Sequence, residues 1–302
     1  MAVYNLTTEQ ITKLQTKVQD YVRARTLFET LPQIPVGGDW LSYYRYHFND
    51  QPMSVHVGDA LSPHVDSQSP PLQYSDKKMH VFQVSSEIPD DQLSVQGFDQ
   101  IARNNEFQMD NLLDNIDTTM FRGNVQNGDT GSGLMNGATT EAIADATIQT
   151  NGDFLNLVAE MIKAVPHRYF TLTGGAFNLY IMRGLYLQLI KNKNATSLMN
   201  EFQSVYDSFG LKPGMARSSV PYLNDIFVTD KLYVTPAAAA QYAMLVIPHP
   251  RVCGVLVGHM PRVHKQIPLD YALRINWSAA LAAHVFDANG VIKTDALTTD
   301  YY

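Results

Sequence analysis

A long amphipathic segment that stops in a glycine-rich turn constrains this chain more than any other stretch. Between Leu93 and Arg122, residues Phe98, Ile101, Ala102, Met109, Leu112, Leu113, Ile116 and Met120 recur at spacings of three, four and seven. That is the stripe of a helix with one buried face. Asp, Asn, Gln and Arg occupy the other face. At about 1.5 Å per residue, such a helix is roughly 45 Å long, more than most single domains cover along one side. It is a beam, and other elements must be laid along it. The stretch from Arg122 to Gly137 then concentrates helix breakers, and Gly123 stands where a helix end takes the left-handed conformation.

Composition narrows the classes. The 302 residues suffice for one large domain or two ordinary ones, and 45% hydrophobic residues supply a core. The net charge of −7 is spread along the chain, and no basic cluster exceeds Lys77-Lys78, which argues against tight sequence-specific nucleic-acid binding. No apolar run is long enough to span a bilayer, and Met1-Ala-Val-Tyr-Asn5 lacks the basic and apolar regions of a secretory signal. We therefore expect a cytosolic product without membrane partners and, because the sequence opens with Met, no removal of a large N-terminal piece if this is the assembled form. The single cysteine, Cys253, excludes an internal disulfide framework, and its apolar setting, Val252-Cys-Gly-Val-Leu-Val257, reads as a small buried hydrophobe.

Taken in order, residues Thr7 to Glu29 read as a helix with Ile11, Leu14, Val18 and Tyr21 as a narrow stripe, opened by a capping box between Thr7 and Gln10. From Trp40 to Val84 the pattern changes. Tyr43-Tyr-Arg-Tyr46 and Met79-His-Val-Phe-Gln-Val84 are strand-like ends around a centre rich in Pro, Ser, Asp and His. A loop of that length and polarity belongs outside a compact core and signals contact with another molecule.

Beyond the glycine turn, Thr150 and Asp153 are placed to cap a helix whose buried side is Phe154, Leu157, Val158, Met161 and Ile162, closed by Pro166. We expect a strand over Tyr169 to Thr173, a helix from about Ala176 to Lys191, and a second helix from Ala195 to Phe209. Gly210 to Pro221 is read as a loop. Strands follow at Ile226-Phe-Val228, Leu232-Tyr-Val234, Gln241 to Ile247 and Cys253 to Val257, making an α/β or α+β subdomain. Val263 to Ala288 is strand-rich, and Asn289-Gly290 turns the chain back into Val291-Ile292.

The step Met120-Phe-Arg-Gly123 at the end of a long helix, followed by Gly133-Leu-Met-Asn136, resembles the major capsid proteins of tailed viruses, whose Hong Kong 97 fold is shared by encapsulin shell proteins. The order of arm, long loop, spine helix and Gly turn is similar as well. The resemblance implies an α+β fold with an N-terminal arm (1–39), an extended β-hairpin loop (40–84), a peripheral domain carrying the spine helix (85–137 and 263–302) and an axial domain (138–262). It implies a structural protein rather than an enzyme, assembling through pentamers and hexamers into an icosahedral shell around viral DNA, without sequence-specific binding. Scaffold, portal or decoration proteins would be further partners. The location implied is the virion capsid, assembled in host cytoplasm. The alternative is an encapsulin-like nanocompartment enclosing a cargo enzyme.

No catalytic, cofactor or metal site is expected. Asp129-Thr-Gly-Ser132 matches an aspartic protease signature, but it follows a helix and has no second copy to share a proton. Gly131-Ser-Gly-Leu-Met-Asn-Gly137 misses the dinucleotide-loop spacing and also follows a helix. His56, His64 and His80, and likewise His249, His259 and His264, lack metal-ligand spacing. The sites at Asn5, Asn194 and Asn276 carry no glycan without secretion. Lys77 and Lys78 lie where some members of the resembled family cross-link their loop, but no motif identifies a partner asparagine or a catalytic carboxylate.

Overall fold

The computed structural model describes residues 7–36, 43–48, 73–123, 133–142, 154–173, 176–191, 215–217, 222–232, 240–269 and 272–298. Helix α1 (Thr8–Arg25) begins at the expected capping box, with the Thr7 N–H donating to Gln10 Oε1 at 2.9 Å and the Gln10 N–H donating to Thr7 Oγ1 at 3.3 Å. Strand β1 (Gln33–Pro35) follows a short 3₁₀ turn at Phe28–Thr30.

The strand expected at Tyr43 to Tyr46 forms as β2 (Tyr43–Phe48), but its antiparallel partner is β3 (Gln73–Lys78), from the stretch read as polar centre, and not Met79 to Val84, which runs into the next strand. Among the described residues the hairpin pairs with no other strand. Strand β4 (His80–Pro89) begins two residues later, so the hairpin continues an edge strand off its sheet. Met79 pins the junction. It is buried in a small cluster with Leu256 and Ala282, flanked by Ile34, Val36 and Phe286.

The beam is α2, Asp90–Arg122, 33 residues long. Its apolar stripe, Met109, Leu112, Leu113, Ile116 and Met120, is buried in the main core. One face of a four-stranded sheet, ordered β1-β11-β12-β4, carries it. β11 (Cys253–Pro268) and β12 (Ala272–Val285) form a long antiparallel ribbon with three register shifts. Along β12, Leu273, Ile275 and Trp277 point into the core, while Arg274 and Asn276 alternate to the opposite face.

A six-stranded sheet, ordered β5-β13-β10-β6-β8-β7, forms the second layer. Its strands are β5 (Thr139–Glu141), β6 (Phe177–Met182), β7 (Met215–Arg217), β8 (Leu223–Thr229), β10 (Ala243–Val246) and β13 (Val291–Thr294). Short helices accompany it: α3 (Leu134–Gly137), α4 (Phe154–Lys163), α5 (Arg168–Leu172) and α6 (Arg183–Lys191). β9 (Ala240–Gln241) pairs separately with β14 (Leu297–Thr298).

Several local expectations are corrected. Tyr169 to Thr173 is not a strand, because residues 168–172 form α5, with the Tyr169 N–H donating to the Pro166 carbonyl. Pro166 therefore opens a helical turn as well as following α4. The expected helix from Ala176 to Lys191 divides into β6 and α6. All six residues of β6 are buried between β10 and β8, so an apolar run read as an all-round apolar helix is a central strand. Leu232 lies beyond β8 and outside any strand. Asn289-Gly290 does turn the chain, within a 3₁₀ turn, but β13 does not pair back on β12. It crosses to the second sheet, between β5 and β10. The Thr150/Asp153 cap and the 195–209 helix lie outside the described residues.

The buried spine stripe sets the first test. Ile116 is fully buried, so Ile116→Asp is expected to abolish folding, because an unpaired interior charge costs several kcal/mol, comparable to the stability of a domain. Loss of the cooperative unfolding transition by circular dichroism checks it.

Candidate functional site

At the C-terminal end of α2 the chain makes its closest backbone approach. Gly123 caps the helix at φ 96° and ψ 166°, its N–H donating to the Thr119 carbonyl at 2.9 Å. The φ is positive as expected, but the ψ is extended rather than left-handed helical. That combination is essentially restricted to glycine. Gly133 then returns against this end. A Cβ there would lie 2.3 Å from both the Arg122 carbonyl carbon and the Gly123 nitrogen. Asn136 Nδ2 donates to the Arg122 carbonyl at 3.1 Å, satisfying an acceptor that the helix end leaves open.

The short helix α3 is held from its other side too. Lys293 Nζ on β13 donates to the Met135 carbonyl at 2.6 Å, and Gly137 packs against Val285 on β12. The motif pairs Gly123 and Gly133 because two backbones touch, and it ends in Asn136 because that side chain closes the contact.

One turn back along α2, Asp117 lies among the apolar residues and is buried. Its Oδ1 accepts the N–H groups of Leu27 and Phe28 at 3.1 and 2.9 Å, and Oδ2 lies 3.0 Å from the Leu27 nitrogen. The passage from arm to body is thus tied to the spine. Burial pushes the Asp117 carboxyl up to about 6, against the opposing effect of the two backbone donors. Lys231 is bonded to Asp114 one turn away.

Tyr180 on β6 is the neighbouring junction. Its hydroxyl lies 2.6 Å from Thr30 Oγ1, its ring sits 5.0 Å from that of Phe121, and it stacks on Phe227 at 4.8 Å. Arm, spine end and second sheet therefore meet within one cluster.

The other chemical candidates do not gather. The Asp129 signature, His56 and His64 lie outside the described residues. Lys77 and Lys78 end β3. Among the described residues, no three His, Cys, Asp or Glu side chains come within reach of a common metal ion. His249 Nδ1 accepts the Arg251 N–H, His259 Nδ1 lies 3.1 Å from the Met260 carbonyl, and burial lowers the pKa of His259. Cys253 is buried, and its thiol is pushed up to about 12, so it lacks the thiolate of a nucleophile. Sequence reasoning missed Asp117 and Tyr180. Asp117 had a legible signal, an acid at helical spacing between Leu113 and Met120.

No family model matches the chain, and no curated protein matches it. Solved structures do. A virus-like particle from Pyrococcus furiosus superimposes with a TM-score of 0.60 at 14% identity, covering 95% of this chain and 100% of that one. The capsid of Myoviridae phage XM1 gives a TM-score of 0.55 at 13% identity, covering 98% and 96%. The holo-SrpI encapsulin complex from Synechococcus elongatus gives 0.59 at 10% identity, covering 100% and 93%. The chain has the Hong Kong 97 fold of these shells.

Two tests follow from the junction. Gly133→Ala is expected to expel α3 from the spine end, because its Cβ would meet backbone that cannot rotate away. Gly123→Val should cost about 1 to 3 kcal/mol through its φ alone. Denaturant unfolding of both proteins, with Gly133→Ala the weaker, checks the order.

The second test concerns pH. The Asp117 pKa lies above its ordinary value of 3.8, so the folded chain binds the proton more tightly than the unfolded chain does. The contribution is full below about pH 4 and is lost as pH rises to about 6, an amount of roughly 3 kcal/mol. Asp117→Asn should remove that part of the slope in unfolding free energy between pH 4 and 6.

Proposed function

We propose that this chain is a major capsid protein that self-assembles, through pentamers and hexamers, into an icosahedral shell enclosing viral DNA. The observation that carries the reading is the β2–β3 hairpin, which among the described residues pairs with no other strand and continues an edge strand beyond the sheet that supports the 33-residue spine. A hairpin of two strands gains little stability alone, so contact with a neighbouring copy gives it a role. The solved shells of the same fold, among them a phage capsid and a virus-like particle, support the same reading.

In this reading the arm is 1–39, the extended loop 40–84, the peripheral domain 85–137 with 263–302, and the axial domain 138–262. The sheet membership of β13 and β14 favours moving 291–298 to the axial part. The protein acts structurally rather than as an enzyme, with scaffold, portal or decoration proteins as possible companions, and its place is the virion assembled in host cytoplasm.

A second reading, an encapsulin-like compartment around a cargo enzyme, is favoured by the encapsulin match over the whole chain. Nuclease-protected DNA in purified particles supports the capsid reading, whereas a co-purifying enzyme without DNA supports the compartment. A chain that stays monomeric by light scattering across salt and pH would overturn both.

The loop supplies the sharper test. Replacing 49–72 by a short Asn-Gly turn leaves every other sheet intact, so the subunit should keep its circular dichroism and lose the ability to form particles. Normal particles from that variant would remove the loop from assembly.

A further inference from the structure

Around Arg274 to Ser278 the face of the β4–β12–β11 sheet opposite the spine is polar, and one place on it is built differently from the rest. Gln83 and Ser85 on β4 stand opposite Ser278 and Asn276 on β12, on the face to which Arg274 also points. Together with His264 and the backbone around Val84 and Trp277, they line a cleft of about 280 Å³. That is small for a cofactor and suits one side chain or a peptide group. Ser278 is 3% exposed, and among the described residues neither its Oγ nor Asn276 Oδ1 has a hydrogen-bond partner. Unmade hydrogen bonds on buried polar atoms are costly, and native proteins leave few of them. A hydroxyl donor beside a carbonyl acceptor matches the two ends of an amide.

We propose that this cleft receives an amide from a second copy of the chain, a peptide group or a carboxamide side chain, whose carbonyl accepts from Ser278 Oγ and whose N–H donates to Asn276 Oδ1. The inference rests on the shell reading above. Charge favours the same occupant. Arg262 and Lys265 pair across β11 with Ser278 and Asn276, so the cleft is flanked by cations on a chain whose net charge is −7. Arg274 is bonded to Glu87, which fixes one wall and keeps that guanidinium from claiming the amide.

The test uses Ser278→Ala in the full chain. Removing a buried, unpartnered hydroxyl should leave the thermal midpoint of the isolated subunit unchanged or raised. It should weaken the shell, raising the critical subunit concentration for assembly about fivefold or more, since each contact loses a hydrogen bond. A shell as stable as the native one would overturn the proposal. So would a subunit destabilised as much as its shell, since the hydroxyl would then serve its own chain. Gln83→Trp, at the exposed mouth, should block the cleft and leave folded subunits that do not assemble, and native shells from it would also count against the proposal. If the unaltered protein forms no particles at all, the shell reading fails first, and the two failures remain distinct.

Discussion

The close approach of Gly133 to the peptide between Arg122 and Gly123 is the contact on which the arrangement depends. A long helix ending freely would leave its last carbonyls to solvent and its direction to chance. Here the returning chain touches the helix end at backbone distance, Asn136 takes the Arg122 carbonyl, and Lys293 brings a strand of the second sheet to Met135. The angle between spine and second sheet is therefore set by backbone contact, which tolerates less adjustment than side-chain packing does.

Around that contact, two buried polar groups do what apolar packing cannot. Asp117 gathers two N–H groups from a segment some ninety positions earlier, and the Tyr180 hydroxyl meets Thr30 while its ring lies between Phe121 and Phe227. Hydrophobic burial alone would accept many registers of the arm on the spine. Directional bonds at Leu27, Phe28 and Thr30 select one. Burying the Asp117 carboxylate costs stability near neutral pH, a cost the fold bears in exchange for that register.

Much of this was legible in the sequence where periodicity or local chemistry acts alone. The stripe from Met109 to Met120, the capping box of Thr7 and Gln10, the glycine at 123 and the strand at Tyr43 follow from helix and turn chemistry within a few residues, whereas the hairpin's returning strand, Gln73 to Lys78, is too polar to show. The failures occur where distant partners decide. Phe177 to Met182 is apolar except for Asn178 and buried throughout, and no local signal separates such a central strand from a buried helix. Arg168 to Leu172 is a single helical turn after a proline, too short for a period to show. Asn289-Gly290 has the composition of a hairpin turn, yet its following strand pairs with residues 139–141 and 244–246. Ser278 and Asn276 gave no signal, since a missing partner becomes visible only once the neighbours are in place.

The sheet beneath the spine has a temporal consequence. Its strands come from residues 33–35, 80–89, 253–268 and 272–285, and among the described residues β4 pairs only with β12. At ribosomal speeds the second partner emerges roughly 10 to 40 seconds after the first, and pairing so remote in sequence forms slowly. Until then α2 can pack on β4 but not on β12. A growing chain therefore cannot close this sheet before residue 285 has emerged. Completion of β12 sets the time at which the sheet under the spine can close.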